Sequence, residues 1–540
     1  MSYNLSIKEQ ETKAEKEVQF LLIKRLNHLF ITAYLLLLFC VYPFYMPEGY
    51  VDIGEAKYRF FLYISLAALI ILILFAVLDG IKKIRCRMKA GEAYLIPWSG
   101  IRISITDLLA GLLVLEISLS YYLSDFRQEA FWGTEGWRIG LILLLILCGL
   151  YFIISRQWRP SMYIWYAAMA ASGAVFLLGI LDRFSIYLIP LSIRDPAFIS
   201  TLGNINWFCG YLTVLASVGS CIFLSAKTLT DKWISGCYLF VAFAAGFCQG
   251  SSSVFLFFGA LFLILLWTGI SKKEWVIQWL FLIAVWGAAG GAVRLLKMLF
   301  PEGYNYEADS LCLVAASSNW LLLAAFICLL TGLILKKKAI RFPENNKSFQ
   351  RIRILLAVIP IAGVLLWAVL SFWNTRWGIP GLIENPLFLF HESWGNGRGA
   401  TWSAGIRLFG GMDGAEKLFG TGPDCFSAYA YSQPQTAGML RDYFGDSRLT
   451  NAHNELLTSL VNIGIVGTVF YFGLFLSGMI RCLKKGEKKA CLLIPAVSIF
   501  CYLIHNMVSF AQVLNLPYVF VIMAMGEGML RRDTEDTDGS

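Results

Sequence analysis

Few side chains in this chain are equipped for catalysis, and they lie far apart in the sequence. Of four histidines, His453 has the most telling setting: in NAHNELLTSLVNIGIVG it stands just before a long apolar run, with Asn451 and Asn454 as candidate caps. The imidazole there meets the positive end of a helix, a field that disfavours imidazolium. A neutral imidazole accepts a proton, which suits a general base; the same place suits a histidine that merely caps the run. Arginines form the second set: Arg138 in FWGTEGWRIG, Arg183 and Arg194 flanking the segment after another apolar run, and Arg398 in GNGRGATWSAG. A guanidinium binds phosphate bidentately and keeps its charge at physiological pH, although each arginine taken alone also reads as a charge snorkelling to a membrane surface. Gly420, Gly422 and Pro423 form a tight turn that presents Asp424, either to orient a base, to bind a sugar hydroxyl or simply to cap the turn. Glu455 follows His453 by two positions. Glu116, inside an apolar run, is a proton-coupling group or a helix–helix hydrogen-bond partner.

Several chemistries are missing. There is no GxxxxGK[ST] to cradle nucleotide phosphates, no HExxH and no CxxC pair, so an ATP-driven pump or a zincin is disfavoured. The one DxD, Asp536 to Asp538, lies in the C-terminal tail, and no metal or other cofactor is expected. Of 13 cysteines only Cys425 falls in a long polar stretch, so they read as small core residues rather than a disulfide framework.

The elements that must position these groups follow from composition. Apolar residues make up 58% and charged residues 15% of 540, with mean hydropathy +0.64; an ordinary soluble domain is roughly 25% charged. The apolar residues come in unbroken runs long enough to cross about 30 Å of hydrocarbon. The chain is therefore expected to be an all-α, polytopic membrane helix bundle of about fourteen spans (twelve to fourteen). They lie near 29–46, 60–78, 105–123, 139–154, 162–181, 207–226, 233–247, 254–270, 275–296, 310–335, 354–372, 454–480, 491–504 and 513–530. The mixed charges before the first run do not resemble a cleaved secretory signal, which implies an uncleaved first helix.

With the N-terminus in the cytoplasm, the basic residues of successive loops alternate as membrane insertion favours. About two thirds of the 45 Lys and Arg then face the cytoplasm, with the long loop as the chief exception. This places both termini inside and divides the chain into a cytoplasmic tail (1–28), eleven spans (29–372), an extracytoplasmic loop (373–453), three spans (454–530) and a second tail (531–540). The net charge of +9 becomes cytoplasmic anchoring to membrane lipid, with no case for nucleic acid. His391, His453, His505 and the four arginines fall on the outer side. The long loop is glycine-rich, with Trp373, Trp377, Trp394 and Trp402; a loop so long is functional or disordered, and its tryptophans argue for a folded one that grips sugar faces or anchors at the interface.

Three stretches resemble the O-antigen ligase and polymerase family of membrane glycosyltransferases, including polymerases of Gram-positive type. STLGNINWFCGYL, Ser200 to Leu212, is similar to the family's Gly-Asn-Pro-Asn-aromatic start of a central span, with Ile205 in place of proline. GNGRGATWSAGIRLF followed by LFGTGPDCFSAY is similar to its Gly-Arg-x-x-x-Trp segment and Gly-x-Gly-Pro-Asp-x-Phe turn. AHNELLTSLVNIGIVG is close to its His-Asn-x-x-Leu helix start with a later Gly-x-x-Gly. One departure stands out: QGSSSVFLF places Ser252 or Ser253 where the family often has Ser-Arg-Gly.

The resemblance implies a GT-C-like, metal-independent glycosyltransferase in the bacterial cytoplasmic membrane. It would move a glycan from a polyprenyl-pyrophosphate donor to a glycan, lipid or wall-polymer hydroxyl at the outer leaflet. On this reading His453 is the base, Arg138 and Arg398 hold the diphosphate with help from Arg183 or Arg194, and Asp424, Asn454, Glu455 and Asn204 support the acceptor or the fold. Ligase and polymerase are not separated by these motifs. A transporter or flippase of lipid-linked glycans is the rival; it should show two related halves, and no internal repeat is evident.

Overall fold

In the computed structural model, residues 23, 25–89, 103–191, 194–307, 310–338, 342, 347–385 and 387–538 are described. Among them the chain is helical almost throughout, with one two-residue antiparallel ladder, Phe198–Ile199 against Gly203–Asn204. Among the described residues nine helices are long and apolar enough to cross a membrane, from Arg25–Phe44 to Glu455–Gly486, and three more are apolar but shorter: Leu141–Gln157, Val254–Gly269 and Ala490–His505. Leu229–Cys248 and Leu516–Asp538 occupy the two remaining expected runs. The protein is a multi-pass, all-α membrane protein, and much of its apolar surface faces outward, as hydrocarbon requires.

A helix apolar on every side belongs in the middle of a bundle. Ile205–Ser225 is buried along nearly its whole length, and the run from Leu516 to Met525 is likewise enclosed. Around them, Glu455–Gly486 packs along Ile105–Leu123, Leu493–His505 along Ile205–Ser225, and Leu516–Asp538 along Leu141–Gln157.

Helix Glu455–Gly486 is bent at Gly464, whose φ of 62° is left-handed and whose missing Cβ lets the backbone of Leu418 and Phe419 approach. One turn later Gly467 makes room for the Glu116 carboxylate. Of the two readings of Glu116, the structure does not bear out the hydrogen-bond partner: among the described residues neither carboxylate oxygen has one, and the surface opposite is a glycine.

Where that long helix ends, two buried carboxylates are held by partly exposed arginines. Asp107 meets Arg156 at 3.3 Å, Arg531, and the Tyr151 hydroxyl at 2.9 Å; Glu527 meets Arg481 and, at 3.2 Å, Arg531.

The stretch 378–454 is folded. Helices Trp394–Gly411, Gly414–Phe419, Phe426–Ser432 and Pro434–Phe444 enclose a small core of their own, with Leu408, Met412, Phe426 and Leu440 at its centre.

Candidate functional site

Helix Glu455–Gly486 begins with Asn454 as its cap, the side chain accepting from Leu457 N at 3.1 Å. Just ahead, His453 holds φ at 48°, and its N–H donates to Asn451 Oδ1 at 2.9 Å. A left-handed histidine is costly and persists where surrounding contacts impose it. Those contacts come from a turn the sequence gave no reason to single out, residues 506–511 between the last two apolar helices. Asn506 O accepts from Glu455 N at 2.9 Å, Met507 O from Asn454 Nδ2 at 2.9 Å, and Ala511 N donates to the Glu455 carboxylate. The Phe510 ring stands edge-on to the His453 imidazole at 5.2 Å.

The same turn holds Arg398. Gly395, Asn396 and Gly397 are all left-handed, which swings the chain round before Arg398 opens a regular helix. Its Nε donates to Val508 O at 2.9 Å and Nη1 to Gly395 O at 2.7 Å. Among the described residues it meets no carboxylate. Thr401 and Trp402 on this helix bond to Ala452 O at 2.8 Å and His453 O at 3.5 Å, tying guanidinium and imidazole into one unit. Burial, reinforced by the Arg398 charge, pulls the His453 imidazole down to about 4, so the ring is neutral at physiological pH.

Asp424 also has a left-handed φ, 60°. It caps a neighbouring loop rather than its own turn: Oδ2 accepts from Thr134 N at 2.7 Å and Ile139 N at 2.9 Å. Burial raises its carboxyl to about 7 against the pull of those two N–H groups. The loop it clamps carries Trp137, whose ring packs edge-on against Phe510 at 4.9 Å. Asp424, Asn451, Glu455, Trp137 and Phe510 line a cavity of about 40 Å³, the size of a water site.

The remaining arginines are placed differently. Arg138 adjoins the site through Trp137, but its guanidinium is paired with Glu55, a partner sequence reading missed, and Nη1 reaches Gly133 O at 3.2 Å. Arg183, expected to assist a diphosphate, is fully buried. Its donors go to the carbonyls of Cys248, Gln249 and Pro196 and to Asn305, with Tyr306 stacked at 4.3 Å. It braces three segments, which leaves little of it for a ligand. Arg194 is exposed and folded over Tyr187 at 3.6 Å, donating to Ile189 O. The structure thus brings together His453, Arg398, Asn454, Glu455 and Asp424, and sets Arg183 and Arg194 elsewhere. Asn204 caps Ile205–Ser225 by accepting from Asn206 N at 2.9 Å. No three His, Cys, Asp or Glu side chains cluster as a metal site among the described residues.

A cation held only by carbonyl oxygens beside a neutral, partly buried imidazole can bind an anion and take a proton at neighbouring points. Residues 308–472, which contain every one of the clustered groups, match the family model described as O-antigen ligase. No curated protein matches the chain.

Proposed function

We propose, from the match of residues 308–472 to the O-antigen ligase model, that this chain is a membrane glycosyltransferase of that kind, which transfers a glycan from a polyprenyl-pyrophosphate donor to an acceptor hydroxyl. The observation that carries the reading is the joining of His453 and Arg398 through one turn. In the transfer, the acceptor oxygen attacks the anomeric carbon and gives its proton to the His453 imidazole. The bond from that carbon to the diphosphate oxygen breaks, and the electron pair leaves with the diphosphate. Arg398, its free N–H groups unclaimed by a carboxylate, meets the developing charge, a kind of stabilisation worth on the order of 3 kcal/mol. The base adds roughly 10²- to 10⁴-fold.

Arg138 lies one residue from Trp137, so its guanidinium can approach the same diphosphate while Glu55 steadies it. Asp424 and Glu455 act at one remove, holding the loop of Trp137 and the turn 506–511. The alternation of basic loops supports a site at the outer face, with both termini cytoplasmic, and the all-helical architecture suits the GT-C type. The lipid chain of the donor would lie against the apolar exterior of helix Lys347–Trp377. From there the Trp367, Trp394 and Trp402 rings, at 5.6 and 5.3 Å, lead towards His453.

The test is transfer by the purified chain in lipid nanodiscs, from a polyprenyl-pyrophosphate-linked glycan, with EDTA present. Product is expected with the unaltered chain and a loss of a hundredfold or more with His453→Ala. Transfer by His453→Ala at the full rate would remove the base from this scheme.

A further inference from the structure

Behind Arg398 a second imidazole is built into a chain of hydrogen-bonding groups that the transfer step does not use. His505 is fully buried. Its Nε2 lies 3.2 Å from Ser253 Oγ, which lies 2.8 Å from Ser251 Oγ, which donates to Asn206 Oδ1 at 2.7 Å. On the other side of the ring, Nδ1 lies 3.2 Å from Asn506 Oδ1. These groups come from three separate stretches, and the serine and histidine are 252 residues apart.

Each of the four links takes one proton. The two serines bring one each and a neutral imidazole brings one, while amide oxygens close both ends and bring none. Three protons cannot serve four links. The count closes if the imidazole takes a second proton and donates from both nitrogens, or if a terminal amide turns over to offer its NH₂. Asn506 Nδ2, buried and without an acceptor, is the amide group able to turn. The chain therefore has two proton states with one set of heavy-atom positions, and a proton can enter with little rearrangement.

The state chosen bears on the site, because Asn506 heads the turn that aims Arg398. Its carbonyl accepts from Glu455 N, and Val508 two residues on holds the guanidinium. With no anion bound, Arg398 is near enough to work with burial against a second proton on both imidazoles. Among the described residues, other ionisable groups near His505 include Cys209, which Ser253 touches at 3.4 Å, Glu455, whose backbone N–H donates to Asn506 O, and Cys501 and Tyr502 on its own helix. A diphosphate seated on Arg398 adds negative charge, which favours a cationic ring.

We propose that His505 is a positioning residue whose second proton arrives with the anionic ligand, so that the imidazolium completes the four-link chain and locks the turn that aims Arg398. The proton comes from solvent on binding and returns when diphosphate leaves, so none is consumed. The inference rests on the diphosphate reading of Arg398.

Titration calorimetry of the full chain in nanodiscs with inorganic pyrophosphate, repeated in buffers of different ionisation enthalpy, counts protons taken up per ligand bound. Comparison with variants cancels the ligand's own titration. The unaltered chain is expected to take up about one proton more than His505→Gln or Ser253→Ala, with affinity weakening up to about tenfold more per pH unit. His453→Gln keeps that uptake. Should His505→Gln not fold, Ser253→Ala, which removes two links, carries the comparison. Equal uptake in the unaltered chain and the folded His505 or Ser253 variants overturns the proposal while leaving diphosphate binding intact. Uptake lost in His453→Gln and kept in His505→Gln overturns it too, by moving the proton to the other imidazole. If pyrophosphate does not bind the unaltered chain, the reading of Arg398 falls, and this inference with it.

Discussion

The two ends of helix Glu455–Gly486 handle buried charge in opposite ways. At the far end, Arg156, Arg481 and Arg531 share Asp107 and Glu527, so every cation faces an anion and most of the charge is met within the protein. At the near end, Arg398 is fixed just as firmly, but by the carbonyls of Val508 and Gly395. Carbonyl dipoles fix direction without cancelling charge. One cluster is mechanical and fastens four helices; the other keeps a uncompensated cation in a set orientation, which is what an anionic ligand needs.

Four experiments bear on this contrast. The largest effect is expected from Arg398→Ala: glycan transfer falls a hundredfold or more, while thermal unfolding in detergent barely moves. A melting temperature that collapses with the rate would make Arg398 as mechanical as the far cluster. Asp107→Ala should do the reverse. Breaking a buried pair costs about 3–5 kcal/mol, read as a much lower melting temperature, with activity per folded molecule close to that of the unaltered chain. Next comes Gly464→Ala, which forces a Cβ into a left-handed residue and the Leu418 backbone. A loss of about 2 kcal/mol is expected, and wild-type stability would mean the bend relaxes freely. The smallest effect is in pH dependence. With the imidazole depressed to about 4, its neutral form persists from neutral pH down to that value, so kcat/KM for transfer loses the base only near pH 4. Arg398→Gln removes the neighbouring cation and should raise that limb towards the ordinary 6.5 without reaching it, because burial is the larger cause. An unmoved limb would show the two side chains to be electrically independent.

What could be read from the sequence was what is local. Apolar runs mark the helices because hydrocarbon length and side-chain polarity act on contiguous residues, and each expected run is mainly helical, the one at 310–335 being broken at Ser317 and Ser318. Asn454 capping its helix was legible for the same reason, as was the folded character of the tryptophan-bearing stretch. Partners distant in the chain were not. Nothing near Arg183 announces that it will be spent on Cys248 and Gln249, 65 and 66 residues on, nor that Glu55 will take Arg138 from 83 residues away. The turn 506–511 escaped notice because its contribution comes chiefly from backbone carbonyls, which carry no residue signature. In the sequence Asp424 reads as a base orienter, a sugar contact or a cap of its own turn; in the structure it caps another loop, about 290 residues earlier in the chain.

Helix Lys347–Trp377 stands apart from the bundle. Residues 357–366 are exposed on every side, and its ties lie towards its ends, where Arg353 bonds to Trp267 O and Trp367 donates to Leu387 O. A rod fastened in this way takes its tilt from the thickness of the surrounding bilayer. Through the tilted indole pairs that lead from Trp367 by Trp394 to Trp402, that thickness can reach the segment carrying Arg398. Lipid discs of short and long acyl chains, compared for rate, read this linkage directly: the membrane would then be a component of the machine as well as its container.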